Sequence, residues 1–208
     1  MDPVLSGFIN HRPLQWRLTV IMTTTADNAP LLDRYNSYAD GFGDVLATVP
    51  AEAWSSPSPC DGWTARGVVA HVVDTQRDFF AGHGVDLGPA PSLEDPASGW
   101  RTHREAVAAR LADPSVADHA FDGHFGPTTI GETLLRFYGF DMIAHRWDIA
   151  TAAGLDHRFT DDQLAEMEAA ADGFGDALYS EGVCERVDVP AGADRQTALL
   201  ARLGRRAA

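Results

Sequence analysis

A carboxylate and an imidazole lie four residues apart, at Asp141 and His145, in a segment whose apolar residues recur with the period of an α-helix. The segment reads TIGETLLRFYGFDMIAHRWDIATAAG, and one face of the predicted helix carries Leu134, Tyr138, Asp141, His145, Ile149 and Ala152. Asp141 and His145 are therefore expected one turn apart on the face that points into a core. Because an unpaired buried carboxylate is costly in free energy, this spacing favours a bound divalent metal.

A second histidine, His71, lies on the inward face of an earlier predicted helix, ARGVVAHVVDTQRDFFAG. Neutral imidazole nitrogens and a carboxylate oxygen are ligands suited to zinc, nickel or ferrous iron. The sequence therefore predicts a metal site formed by His71, Asp141 and His145, with zinc as the favoured ion. Three protein ligands would leave positions open for water or substrate, as catalytic sites do.

Each candidate residue also has a simpler interpretation. A lone histidine on an apolar face is often a core residue that hydrogen-bonds a carbonyl, and an Asp–His pair can be an exposed helix pair. Cys60 is interpreted as a small loop cysteine, with a role as ligand or nucleophile left open, and Arg146 is expected to point away from the ligands. Asp148 either orients a ligand from behind or pairs with an arginine. The sequence places the other histidines in loops or on polar faces, namely His83, His103, His119, His124 and His157.

Charge and composition exclude several classes of function. The net charge of −14 disfavours nucleic acid and anionic membrane surfaces as partners. The chain contains no lysine, so Schiff-base chemistry and a P-loop are excluded. Its two cysteines form no CxxC motif and favour a reducing, cytoplasmic location. No apolar run approaches the roughly 20 residues of a membrane span.

The pattern of caps and apolar stripes predicts an all-α fold, a four-helix bundle with long irregular connections. Asn28 and Pro30 are expected to begin the first helix, Thr64 to cap the second and Thr160 to cap a later one. A third helix is expected over SGWRTHREAVAARLA, and the alternating stretch DHAFDGHFGPTT is typical of a small hairpin. Residues 1–21 lack any period and are predicted to be an extension outside the fold, so the domain is assigned to residues 22–208.

Three short motifs carry a resemblance to a known family. The segments SSPSPCDGWTARGVVAHVV, FDMIAHRWDIATAAG and LLARLGR resemble the actinobacterial branch of the DinB/YfiT-like metal-binding bundles. That branch is related to the N-terminal domain of mycothiol-dependent maleylpyruvate isomerase. The resemblance covers about residues 27–206 and implies a four-helix bundle with a divalent metal. It places the ligands on His71, Asp141 and His145, which agrees with the helical periodicity.

The resemblance also implies a class of activity. It favours a metal-dependent S-transferase or isomerase that uses a low-molecular-weight thiol, plausibly mycothiol, on a small electrophilic substrate. Two alternatives use the same metal: hydrolysis by a bound water, and a non-catalytic stress or regulatory protein. A helical interaction domain without metal is a third alternative, and a homodimer is left open as the assembly.

Overall fold

Four long helical segments form the body of the molecule. A computed structural model describes residues 31–180 and 183–206. The segments are α1 (Leu31–Thr48), α2 (Ala65–Gly82), α3 (Pro96–Leu111) and a long helical segment from Ile130 to Ala152. α1 packs against α3 and the long segment, and α2 packs against the same two, so the four close into a ring around one core. The predicted all-α bundle is confirmed.

The core is built from apolar stripes with helical spacing. On α1 the buried side chains are Tyr35, Tyr38, Ala39, Phe42 and Leu46. α3 was harder to see in the sequence, because arginines, a glutamate and a threonine separate its three largest inward apolar residues, Trp100, Val107 and Leu111. Trp100 nevertheless fixes α3 on α1, since its indole Nε1–H donates to the Ala39 carbonyl at 3.0 Å.

Side-chain caps set the beginnings of the helices. Thr64 accepts a hydrogen bond from the Gly67 amide and begins α2, and Thr160 forms a capping box with Gln163 at the start of α7 (Asp161–Phe174). Both caps were predicted. α3 begins two residues earlier than expected, because Asp95 caps it and Pro96 occupies its first turn. The cap proposed at Asn28 lies outside the described residues, as does the extension over residues 1–21, and both stay predictions.

The long helical segment has three parts. It begins with α5 (Ile130–Thr133), passes through a π-helical stretch (Leu134–Gly139) and continues as α6 (Phe140–Ala152). The π-helical stretch ends at Gly139, where an added Cβ would lie 2.7 Å from the Tyr38 ring of α1. The close approach of α1 therefore requires glycine at this position. π-Helical turns are rare and concentrate at functional sites, and this one immediately precedes Asp141.

The connections are short elements packed on the bundle. A 3₁₀ turn (Ala51–Ser55) precedes α2, and a short α4 (Pro114–Ala117) follows α3. The predicted hairpin is present, with β1 (Ala120–Gly123) antiparallel to β2 (Gly126–Thr129) and Phe121 opposite Thr128. After α7 come a second 3₁₀ turn (Gly175–Tyr179) and α8 (Arg195–Arg202), which packs on α7. Among the described helices, none combines the length and the apolar character needed to cross a bilayer.

Candidate functional site

The structure brings His71, Asp141 and His145 together between α2 and α6. His145 Nε2 lies 3.1 Å from Asp141 Oδ1, and His71 Nε2 lies 3.6 Å from Asp141 Oδ2. One ligand atom from each residue falls within 4.8 Å of the other two. The helical spacing of Asp141 and His145 places both on one face, as predicted, and the packing of α2 on α6 adds His71 from across the bundle.

Asp141 carries an oxygen without a partner. Its Oδ2 is buried and accepts no hydrogen bond from the described residues, since the 3.6 Å separation from His71 exceeds normal hydrogen-bond length. Burial favours the neutral acid, yet the His145 and His71 rings outweigh it and hold the pKa of Asp141 below its usual range. A buried, ionised oxygen beside two imidazoles fits a divalent cation, which would satisfy it.

The other nitrogen of His145 is held by Asp148. Nδ1 lies 2.8 Å from Asp148 Oδ2, and because a carboxylate can only accept, the ring donates its proton there. Nε2 is then left facing Asp141. Ligating histidines are commonly oriented by a carboxylate in this way. Burial opposes a positive charge on His145, but the Asp141 charge and both carboxylate hydrogen bonds raise its pKa well above the usual value.

Arg205 balances the charge of Asp148. Its Nε and Nη2 donate to the two oxygens of Asp148 at 3.2 and 2.8 Å, while Nη1 donates to the Leu203 carbonyl at 2.7 Å. Burial alone would raise the pKa of Asp148, but the Arg205 charge and the His145 hydrogen bond hold it below its usual range. The two interpretations of Asp148 given by the sequence are therefore both realised, because the same carboxylate orients His145 and pairs with an arginine.

Cys60 contacts both members of this pair. Its thiol donates to Asp148 Oδ2 at 3.3 Å, and Arg205 Nη2 lies 3.7 Å from its sulfur. Cys60, His145 and Asp148 form a second group with spacing compatible with a metal. That group fits a cation poorly, because Arg205 and the His145 N–H already occupy the oxygens of Asp148 and Arg205 brings a positive charge.

A cavity of about 380 Å³ opens onto the three candidate ligands. Trp63 forms part of its wall and lies over the His71 ring, with centroids 4.5 Å apart. Part of the lining is apolar, and no sequence pattern placed its residues here. This apolar wall consists of Phe137, Phe140, Phe174, Leu178 and Val183. Arg205 and Cys184 also line it. The one signal for Arg205 was its place at the end of the LLARLGR motif, which by itself assigns no role.

Two other predictions about single residues have clear outcomes. The placement of His103 on a polar face is wrong, because its side chain is fully buried and its Nε2 lies 3.1 Å from Gln76 Oε1. Arg146 is also buried, but on the side of the helix that faces Gly41 of α1. It therefore points away from the cavity, as expected.

Comparison with known proteins places this geometry in a family. The sequence pattern described as the mycothiol maleylpyruvate isomerase N-terminal domain matches residues 37–150, more than half of the chain. The chain belongs to this family. The family is DinB-like and mycothiol-related, as the sequence motifs indicated. The match includes all three candidate ligands and Asp148, whereas Arg205 and the part of the cavity wall formed by residues 174–185 lie beyond it.

Individual relatives extend the match along the chain. The uncharacterized proteins Rv0738 and MT0763 of Mycobacterium tuberculosis are each 28% identical over 180 residues, which cover 78% of this chain and 92% of the relative. The uncharacterized protein Rv0036c of the same species is 24% identical over 153 residues, covering 62% of this chain and 59% of the relative. No solved structure matches the chain significantly.

Proposed function

We propose that this protein binds a divalent metal, with zinc as the favoured ion, through His71, Asp141 and His145. We further propose that it transfers a low-molecular-weight thiol of the mycothiol type to a small electrophile. The observation that carries the proposal is the buried Oδ2 of Asp141, which makes no hydrogen bond to the described residues although its carboxylate faces two imidazoles in the lining of a cavity. The family supplies the choice of thiol, since a bundle alone does not specify a reaction.

The residues of the chain would prepare this part of the cavity. Asp148 and Arg205 fix the orientation of His145 with Nδ1 as the donor to Asp148, so that Nε2 is the nitrogen that a cation would bind in place of its proton. Trp63 covers His71 and limits its rotation. The apolar wall keeps water away from one side of the cavity, which strengthens electrostatic interactions at the candidate ligands.

The chemistry needs a thiolate. A divalent cation at this position would supply the positive charge that favours ionisation of a thiol near neutral pH. The thiol proton leaves to solvent. The sulfur lone pair then forms a bond to the electrophilic carbon, and the leaving group departs with its bonding electrons, so the step needs no oxidant or reductant. An activated alkene would instead take up one proton at the neighbouring carbon.

Metal content tests the first part of the proposal. Protein purified without a metal-affinity tag should contain about one divalent ion per chain by elemental analysis, and His71→Ala should lose most of it. His83→Ala is the matched control, because His83 ends the same helix and its ring packs on Phe79 and Phe121 instead of the cavity. Full metal content in His71→Ala would exclude His71 as a ligand.

Thiol binding tests the second part. Mycothiol titrated into a cobalt-substituted sample should change the visible absorption of the metal, and calorimetry should show saturable binding. Transfer to a generic electrophile should then depend on added thiol. If the metal is present but mycothiol neither binds nor changes the spectrum, the thiol reaction is excluded, and hydrolysis or a non-catalytic metal site takes its place.

A further inference from the structure

The cavity has a lining with two chemically different parts. His71, Asp141 and His145 supply the ligand atoms of its lining, and the apolar wall supplies the rings of Phe137, Phe140 and Phe174. We propose that this wall selects an uncharged electrophile with an aromatic or other flat apolar group, and that it disfavours organic anions such as dicarboxylates. The inference deepens the proposed function by naming its substrate class, but the apolar preference itself needs no metal.

The rings form a continuous stack that reaches the cavity. Phe137 and Phe174 are nearly parallel, with centroids 5.3 Å apart and planes at 16°, and Phe140 meets Phe174 edge-on at 5.3 Å. Phe125, at the tip of the hairpin, extends the stack on the outside and is 41% exposed. Parallel and edge-on contacts at these distances are the favoured geometries of aromatic pairs, so a further ring can add to the stack.

The charges along the cavity disfavour an anion. The ionised side chains that line it are three carboxylates, Asp61, Asp141 and Glu185, and two cations, His145 and Arg205. His145 is already paired with Asp141 and with the carboxylate behind it. Arg205 is the one arginine among the lining residues described, and both oxygens of Asp148 already neutralise it. Asp61 and Glu185 are exposed and add negative charge at the lining. In the metal-free chain a dicarboxylate would therefore meet like charges and lose hydration without gaining a bidentate arginine.

One arginine near the stack offers the competing interpretation. Arg136 places its guanidinium 4.8 Å from the Phe125 ring centre and 5.5 Å from that of Phe137. It lies over the rings, outside the set of residues that line the cavity. Its contacts are those of a cation packed on aromatic faces, so we assign it to the support of the stack and not to substrate binding.

Much of the apolar wall lies outside the part of the chain that matches the family. Phe137 and Phe140 fall within residues 37–150, whereas Phe174, Leu178 and Val183 follow it. The three candidate ligands thus lie within the matched range, whereas three of the five wall residues are supplied by α7 and the segment after it. If relatives act on different substrates, we expect their sequences to differ at these later wall residues.

Two probes of the same size and different charge test the inference. para-Fluorobenzyl alcohol is neutral and para-fluorobenzoate is anionic, and fluorine NMR titration measures both against the full chain after chelator treatment. The alcohol should bind at least roughly tenfold more tightly. Phe174→Ala and Phe137→Ala should each weaken the binding of the alcohol by roughly tenfold, because each removes a ring from the contact surface.

Matched variants make the outcome decisive. Phe121→Ala removes a ring that packs on Phe79 and His83 away from the cavity, and it should leave alcohol binding unchanged. Asp61→Asn combined with Glu185→Gln should reduce the difference in affinity between the alcohol and the benzoate. Equal or tighter binding of the benzoate would overturn the inference, and weakening of that binding by Arg136→Gln would assign the anion to Arg136.

The same titration separates this inference from the proposed metal site. The alcohol preference should persist in His71→Ala, because His71 contributes no ring to the apolar wall. Loss of metal with retained alcohol binding supports both proposals. Metal binding without any preference for the alcohol would overturn only the substrate class.

Discussion

Two histidines are buried in the helical core, and their partners make them chemically different. His145 lies between Asp141 and Asp148, and these carboxylates raise its pKa well above the usual value. His103 faces the neutral amide of Gln76, and burial, with a smaller effect of Arg77, lowers its pKa to about 3. Burial is common to both, so the sign of the shift is decided by the charge of the neighbours.

Unsatisfied atoms occur at both histidines as well. His103 Nδ1 and Gln76 Nε2 have no hydrogen-bond partner among the described residues, and neither does Asp141 Oδ2. At His103 these atoms belong to neutral groups, for which a missing hydrogen bond costs about 1–3 kcal/mol. At Asp141 the atom belongs to an ionised carboxylate, whose desolvation costs more. An unpaired buried atom therefore points to a cation only where it carries charge.

The largest expected effect follows from removing the carboxylate that holds His145. Asp148→Asn removes the charge that Arg205 neutralises and should lower the free energy of unfolding by about 3 kcal/mol, because a buried guanidinium loses its counter-ion. Metal affinity should fall roughly 10- to 100-fold, since His145 loses its orienting carboxylate. Denaturant unfolding and metal titration measure the two effects.

A double variant separates the cost of an unpaired buried charge from the loss of orientation of His145. Asp148→Leu with Arg205→Met removes both charges, and it should be less destabilised than Asp148→Asn, because no uncompensated charge remains. Metal affinity should stay low in it, since nothing orients His145. If the double variant binds metal as the unmodified chain does, Asp148 does not position His145.

The second prediction concerns the pH dependence of stability that the neutral histidine contributes. The folded pKa of His103 is about 3, below its unfolded value near 6.5, so the unfolded chain takes up the proton first as pH falls. This contribution is present above about pH 6.5 and is lost progressively below it. As pH falls from about 7.5 to about 5.5, the loss of this contribution should lower the free energy of unfolding by about 1 kcal/mol.

His103→Gln isolates that contribution, since the other groups titrate in both proteins. The unfolding free energy of the unmodified chain, less that of the variant, should fall by about 1 kcal/mol over this pH range. A constant difference would mean that His103 has the same pKa in the folded and unfolded chain, and a difference that rises as pH falls would mean that it is protonated when folded. Either result would remove the contrast with His145.

The smallest effect concerns the choice between the two metal-compatible groups. Cys60→Ser should leave metal content unchanged, because Cys60 belongs to the group whose carboxylate Arg205 already holds. Elemental analysis beside His71→Ala compares the two groups directly. Loss of metal in Cys60→Ser with retention in His71→Ala would place the ion on the Asp148 side of His145.

The sequence predicted what depends on local rules. The caps at Thr64 and Thr160, the hairpin and the one-turn separation of Asp141 from His145 each follow from spacing within a few residues. The π-helical stretch before Asp141 was not predicted, because its apolar residues also fit the ordinary helical period. The bundle as a whole followed from the stripes, which require mutual burial.

The residues that were missed depend on distant parts of the chain. His103 is flanked by Thr102 and Arg104, so its helix read as polar, although Trp100 and Val107 mark the same inward face. Arg205 contacts Asp148, which lies 57 residues earlier in the chain, and no local sequence pattern predicts that contact. The apolar wall likewise combines α6 with the segment after α7, which only the packing of the helices brings together.

The docking of Arg205 has a consequence for the order of assembly. Its contacts to Asp148 and Cys60 close loops of 57 and 145 residues, and contacts between distant positions form late and open early. If Arg205 is undocked, Asp148 becomes an available carboxylate beside Cys60 and His145, and two groups would offer ligands to the proposed ion. Docking of Arg205 occupies Asp148, so the proposed ion would have one set of ligands and not two.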